Sequence, residues 1–201
     1  FIEIIFMETL IQIDTSLLLF LNKTISNFLF DWFMPLITNQ WIWAFPILIV
    51  LLGMLIFGNK KARIASVILI LSVSSSDLIC ARIIKPSVKR LRPSYSLTKV
   101  CRENARLLVK KGGKYGFPSN HAANITSAMA VLIFFYRRFK YIFISLAVIV
   151  SFSRIYVGVH YPLDVIAGAS IGILLALSWI TLWIIISNRA TKKGKYYLSI
   201  D

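Results

Sequence analysis

The chain carries two histidines, and each sits among residues suited to anion chemistry. His121 closes the stretch Pro118-Ser119-Asn120-His121, where a basic polar segment meets an apolar run. His160 follows Ser153-Arg154 after a short spacer, and Asp164 comes four residues later. Imidazole serves proton or phosphoryl transfer because its ordinary pKa lies near neutrality. If the turn is helical, that spacing puts Asp164 on the face of His160. The carboxylate can then fix one ring nitrogen and leave the other as a nucleophile. The competing reading makes Asp164 an ordinary cap for the helix that Pro162 starts.

Cations gather around these histidines. Lys85 and Arg92-Pro93 form Lys-x6-Arg-Pro where an apolar run ends. Seven residues is about two helical turns, so both cations fall on one side of a continuing helix until Pro93 stops it. An arginine fork binds phosphate oxygens in pairs, and lysine adds a point charge. Ser119 is a good N-cap, so its hydroxyl and the first free N–H groups can face an anion. Taken singly each motif is weak: basic helix ends often meet lipid headgroups, and a capping serine is ordinary.

The elements that position these residues must be apolar. Hydrophobic residues make up 58% of the 201-residue chain, and mean hydropathy is +0.75, more apolar than soluble domains tolerate. Helices in a bilayer satisfy every backbone group internally. The predicted fold is all-α: a polytopic membrane helix bundle with five transmembrane helices over residues 43–57, 64–84, 122–136, 141–157 and 163–187. Residues 14–38 keep apolar positions at helical spacing but are broken by Asn22, Lys23, Thr24, Asn27 and Asp31. That pattern predicts amphipathic interfacial helices, with a tilted sixth span as the alternative. The organisation expected is an interfacial segment 1–42, a catalytic membrane domain 43–188 and a basic tail 189–201. Residues 1–13 lack the basic start of a signal peptide, and Met7 is a candidate initiator.

The formal charge of +15 suits anionic lipid better than nucleic acid, because few soluble basic stretches exist to track a duplex. Three short connections, at 58–63, 137–140 and 188–195, are basic and fall on one face, which the positive-inside rule makes cytoplasmic. Residues 85–118 then lie outside, although they carry ten Lys and Arg against Glu103 alone. Charge on the disfavoured side implies a retained purpose, most simply an anionic substrate. Leu107, Leu108 and Val109 interleave this loop.

In order, these motifs resemble the type 2 phosphatidic acid phosphatase (PAP2) superfamily, whose pattern is Lys-x6-Arg-Pro, Pro-Ser-Gly-His and Ser-Arg-x5-His-x3-Asp. The match runs from Lys85 to Asp164, with Asn120 in place of the usual glycine. The resemblance implies a phosphatase that needs neither metal nor other cofactor. Lys85, Arg92, Arg154, Ser119 and the Asn120 N–H would bind phosphate. His160 would attack to form a phosphohistidine, Asp164 would orient it, and His121 would protonate the leaving group. The expected substrate is a phosphorylated lipid of the bacterial inner membrane, reached from the periplasmic side. Lipid A 1-phosphate is favoured over undecaprenyl diphosphate or phosphatidylglycerophosphate because the basic loop suits a large polyanionic headgroup. A non-catalytic protein that binds anionic lipid is the alternative of another class.

Three further features stand outside the motifs. Asp77, inside the second span, either anchors Arg82 or a neighbouring helix, or serves function directly. Gly168 and Gly172 form a GxxxG pair that predicts close helix packing. Cys80 and Cys101 show no metal-binding spacing.

Overall fold

The computed structural model describes residues 2–96 and 104–192; Lys99, Cys101, Arg102, Glu103 and the tail beyond Lys192 lie outside the described residues. Seven principal helices follow one another: α1 (Ile2–Leu19), α2 (Phe28–Thr38), α3 (Gln40–Ile56), α4 (Lys60–Leu78), α5 (Asn120–Phe135), α6 (Lys140–Tyr156) and α7 (Pro162–Lys192). Among the described residues no strand forms beyond an isolated bridge between Leu91 and Tyr115. This is an all-α polytopic bundle. α4 runs on through a π-helical stretch, Ile79–Ile84, into Lys85–Val88, so Lys85 rides on the end of a long membrane helix.

Helix starts are set by side-chain caps. Asn27 accepts from the Phe30 N–H at 2.9 Å, Asn39 from Trp41 at 3.1 Å and Asn59 from Ala62 at 3.0 Å. Each occupies one of the orphan donors of a helix N-terminus. α2 and α3 meet at Asn39 with a bend of 53°.

The spans expected at 64–84, 141–157 and 163–187 lie within helices long and apolar enough to cross a membrane. The one expected at 43–57 lies in α3, which reaches that length and apolarity only together with α2. α5 has 16 residues, about 24 Å against a hydrocarbon core of about 30 Å. It is the central helix: Ala122, Ala123, Thr126, Ser127, Val131 and Phe135 are buried, packed by α4, α6 and α7.

Residues 5–24 also form a helix of membrane-crossing length and composition, where the sequence pattern pointed to an interfacial segment. Of the residues that break the pattern, Lys23, Thr24 and Asn27 are exposed while Asn22 and Asp31 have protein partners; the difference comes from the polar groups that turn inward. Asp14, Asn22 and Thr38 are buried, and Asp31 pairs with Arg106. They face protein, so they do not mark a water-facing stripe.

The bundle is tied by small residues and hydroxyls. A side chain at Gly168 would run into the Ser119 carbonyl, and one at Gly172 into the Ala123 carbonyl and Thr126. Only glycine lets α7 approach α5 this closely, as the GxxxG spacing predicts. Thr126 Oγ1 donates across that seam to the Ala169 carbonyl at 3.1 Å. Ser72 and Ser127 share a hydroxyl hydrogen bond at 2.6 Å.

A contrast between two glycines tests this packing. Gly172→Val should lower the melting temperature in detergent, by about 2 kcal/mol or more of stability, as overpacking does. Gly53→Ala, where an added Cβ meets nothing within 4 Å, should be neutral or slightly stabilising, since helical glycine costs about 0.5–1 kcal/mol relative to alanine. Equal melting shifts for the two would count against the close α5–α7 seam.

Candidate active site

Four chain segments meet at the N-terminus of α5. The Ser119 side chain is fully buried and accepts from the Ala122 N–H at 3.5 Å, a long cap. Its own N–H donates to the Asp164 carbonyl at 2.9 Å, binding the start of α5 to the start of α7. His121 sits one residue into α5, half-buried, within electrostatic reach of Arg154, His160, Arg92 and Lys85. The PSNH and Ser-Arg-x5-His-x3-Asp motifs therefore converge in space.

The Lys85 ammonium donates to Asn120 Oδ1 at 2.8 Å. Arg92 is placed by backbone pairing: its N–H donates to the Lys114 carbonyl at 3.1 Å, and Gly116 N–H to the Arg90 carbonyl at 2.8 Å. Arg92 Nε also donates to the Tyr115 carbonyl at 3.2 Å. An added Cβ at Gly112 would lie 2.7 Å from the Arg92 guanidinium, so that glycine keeps room for it. Arg154 is buried at 7% exposure and donates to the Thr38 hydroxyl, while its Nε has no hydrogen-bond partner. Lys85, Arg92 and Arg154 all act electrostatically on His121 and His160, and the Arg92 charge opposes that of Arg154.

His160 is 1% exposed. Its Nδ1 lies 3.5 Å from Asp164 Oδ2, longer than a well-formed hydrogen bond, and has no other hydrogen-bond partner among the described residues. Asp164 is held from two sides: Oδ1 accepts from Arg90 Nη1 at 2.7 Å and Oδ2 from the Tyr161 N–H at 3.1 Å. Burial pushes the His160 pKa well below its ordinary value, and the charges of Arg92, Arg154 and Lys85 push it the same way. The imidazole is neutral at neutral pH, as a nucleophile requires.

Sequence reasoning brought together all eight expected residues but missed what supports them. Arg90 pairs with Asp14 of α1 as well as with Asp164, and its guanidinium lies 4.4 Å from the Tyr161 ring centre. Burial opposes the Arg90 charge, but the Asp164 and Asp14 carboxylates outweigh it and raise its pKa. Asp14 Oδ1 also accepts from the Leu163 N–H at 2.9 Å, which makes it a cap for α7. Asp14, the last of three carboxylates in an otherwise mostly apolar helix, was the available signal. Asp77 anchors α5 and not Arg82: its Oδ1 accepts from Asn120 at 2.9 Å and from Asn124 at 3.0 Å. Leu108 and Val109 pack inward on a core of Met34, Tyr156, Val157 and Val159, which leaves Leu107 alone of the three exposed.

A membrane bundle that closes three cations and two histidines over one pocket has the constitution of an integral-membrane phosphate-transfer enzyme. The PAP2 superfamily pattern matches residues 63–189. The chain belongs to that superfamily and is a multi-pass membrane phosphatase. It is 39% identical over 169 residues to a lipid A 4'-phosphatase of Bacteroides thetaiotaomicron, covering 82% of this chain and 74% of the relative. It is 30% identical to a lipid A 4'-phosphatase of Porphyromonas gingivalis, covering 84% and 72%. The crystal structure of Aquifex aeolicus LpxE superposes with a TM-score of 0.66 at 26% identity, covering 83% and 93%.

The depressed His160 pKa has a consequence for stability. An unfolded histidine takes up a proton as pH falls below about 6.5, whereas the buried one does not. The native state is therefore fully stabilised above that pH and loses stability below it, at up to about 1.4 kcal/mol per pH unit. Melting temperatures of wild type and His160→Asn from pH 7.5 to 5 should converge as pH drops, with the wild type falling faster. Parallel curves would show that His160 is not buried in neutral form.

Proposed function

We propose that this phosphatase removes a phosphate monoester from a saccharolipid of the lipid A kind, without metal, through a phosphohistidine on His160. One observation carries the reading: a neutral, buried His160 lies between Asp164 and a pocket where Lys85, Arg92 and Arg154 converge. The cations hold the three non-bridging oxygens, aided by Ser119 and the N–H groups that begin α5. With Nδ1 turned to Asp164, Nε2 attacks phosphorus while the bond to the leaving oxygen breaks. The incoming dianion offsets the burial and the cations that disfavour a protonated His121, so His121 carries a proton in the complex and gives it to that oxygen, and the lipid leaves as an alcohol. Water then attacks the phosphohistidine, His121 takes the water's proton, and inorganic phosphate departs. Charge stabilisation and positioning do most of the catalysis in phosphoryl transfer, and here fixed cations supply it.

The relatives that span most of the chain support the 4' position. The 1-phosphate reading rested on a basic loop suited to a large polyanionic headgroup, a ground that does not separate the 1 position from the 4'. An undecaprenyl diphosphate or phosphatidylglycerophosphate substrate remains the runner-up. The decisive assay is phosphate release from purified bisphosphorylated lipid A in detergent, with mass spectrometry assigning the position lost. His160→Ala should reduce turnover by about 10³-fold or more, as loss of a nucleophile does. Activity should persist in EDTA, and orthovanadate should inhibit. Near wild-type turnover by His160→Ala would sink the mechanism, and Mg²⁺-restored activity after chelation would sink metal independence. A folded protein that releases phosphate from no lipid would favour the non-catalytic alternative.

We also propose that the pocket opens to the periplasmic side of a bacterial inner membrane. The α3–α4 and α5–α6 connections are basic and lie at the end opposite Lys85 and His160, in keeping with the positive-inside rule. In a Cys101→Ser background, Lys110→Cys should react with an impermeant thiol reagent in spheroplasts, while Arg138→Cys should react only after lysis. The reverse pattern would invert the orientation and place the substrate in the inner leaflet.

A further inference from the structure

The outward face of the Lys60–Val88 helix holds polar groups that the catalytic roles leave unused. Ser74, Asp77, Ala81 and Arg82 line, with Asn124 of α5, a groove of about 450 Å³. That falls within the roughly 300–1,000 Å³ of small-molecule sites. The groove lies on the bilayer side of Lys85, where the body of a lipid would rest once its phosphate entered the pocket.

Its lining is unusual for a lipid-facing surface. Asn124 Oδ1 is buried and accepts no hydrogen bond among the described residues. Arg82 is exposed and has no partner among them. Asp77 is exposed too; its Oδ1 is taken by Asn120 and Asn124, which leaves its second oxygen to the groove. Unmatched polar groups at membrane depth are costly and mark function. Together they offer two acceptors and one cationic donor. The carboxylate disfavours a second phosphate, so the complementary ligand carries hydroxyl or amide groups. Asn120 joins groove to pocket, accepting from Lys85 through Oδ1 while donating to Asp77 through Nδ2.

We propose that this groove is a sugar subsite. It takes the hydroxyl and amide groups of the sugar that carries the scissile phosphate. Asn124 Oδ1 and Asp77 accept from O–H and N–H groups, and Arg82 donates to a carbonyl or hydroxyl oxygen. The inference rests on the saccharolipid reading and deepens it. A polyprenyl phosphate has no group to satisfy the groove, and a diacylglycerol phosphate offers acceptors for Arg82 alone.

The test compares purified wild type, Arg82→Gln and Asn124→Leu on bisphosphorylated acylglucosamine disaccharide lipid and on p-nitrophenyl phosphate. Each variant should lose about tenfold more kcat/KM on the sugar lipid than on the soluble ester, chiefly through KM, the scale of one or two hydrogen bonds. Arg82 has no protein partner, so Arg82→Gln should keep the wild-type melting temperature. Equal losses on both substrates, or no loss on either, would overturn the subsite while leaving the phosphatase reading intact. A wild-type enzyme that hydrolyses the soluble ester or a polyprenyl phosphate but never the sugar lipid would instead defeat the saccharolipid reading, and the subsite with it.

Discussion

The Arg90 guanidinium is the interaction on which the rest of the site depends. It joins Asp14 of the first helix to Asp164 of the last, and its face covers Tyr161. Both carboxylates are buried, and breaking a buried charge pair by removing one partner typically costs about 3–5 kcal/mol. The bridge therefore does more than brace three segments. It fixes Asp164 so that the remaining oxygen faces His160. Asp14 serves twice, as counter-ion to Arg90 and as cap for the α7 N-terminus. Without α1, the start of α7 would lack both a cap and a charge balance.

A second constraint follows from the unbalanced charge on the other side of His160. Lys85, Arg92 and Arg154 converge on the pocket, and their nearest hydrogen-bond acceptors are neutral: Asn120 Oδ1, the Tyr115 carbonyl and the Thr38 hydroxyl. The acids are kept one layer back, on Arg90 and in the lipid-facing groove. Under the proposed mechanism, a phosphate dianion meets its strongest interactions there. Added charge on the equatorial oxygens in the transition state is stabilised by groups that need no reorganisation. The proposed mechanism draws its transition-state stabilisation from this same unbalanced charge.

Much of this was legible in sequence. Motif spacing was enough to pick out Lys85, Arg92, Arg154, His121 and His160, which the fold brings within electrostatic reach of one another at or near helix ends. Span positions were legible from hydropathy. The N-terminal helices were harder to read, since Asn22 and Asp31 look like part of a water-facing stripe until their long-range partners are known. Asn22, for example, donates to the Tyr156 carbonyl at 2.6 Å across 134 residues. Arg90 was hidden for a related reason: in a run with Lys89 and Arg92, nothing local separates a buried bridge from a solvated charge. Asn120 was read for its backbone, whereas its carboxamide links Lys85 to Asp77.

The short central helix sets the depth of the site within the bundle. With its Tyr136 end at one interface, α5 stops about 6 Å short of spanning the hydrocarbon core. Ser119 and His121 are therefore recessed below the opposite surface. Residues 104–118 cover the recess, held by Arg106 on Asp31 and by the Leu108 N–H on the Val157 carbonyl. Recession lowers the local dielectric, which strengthens each cation's hold on phosphate. Gly168 and Gly172 make the recess possible: bulkier residues there would push α7 away from α5 and move Asp164 off His160.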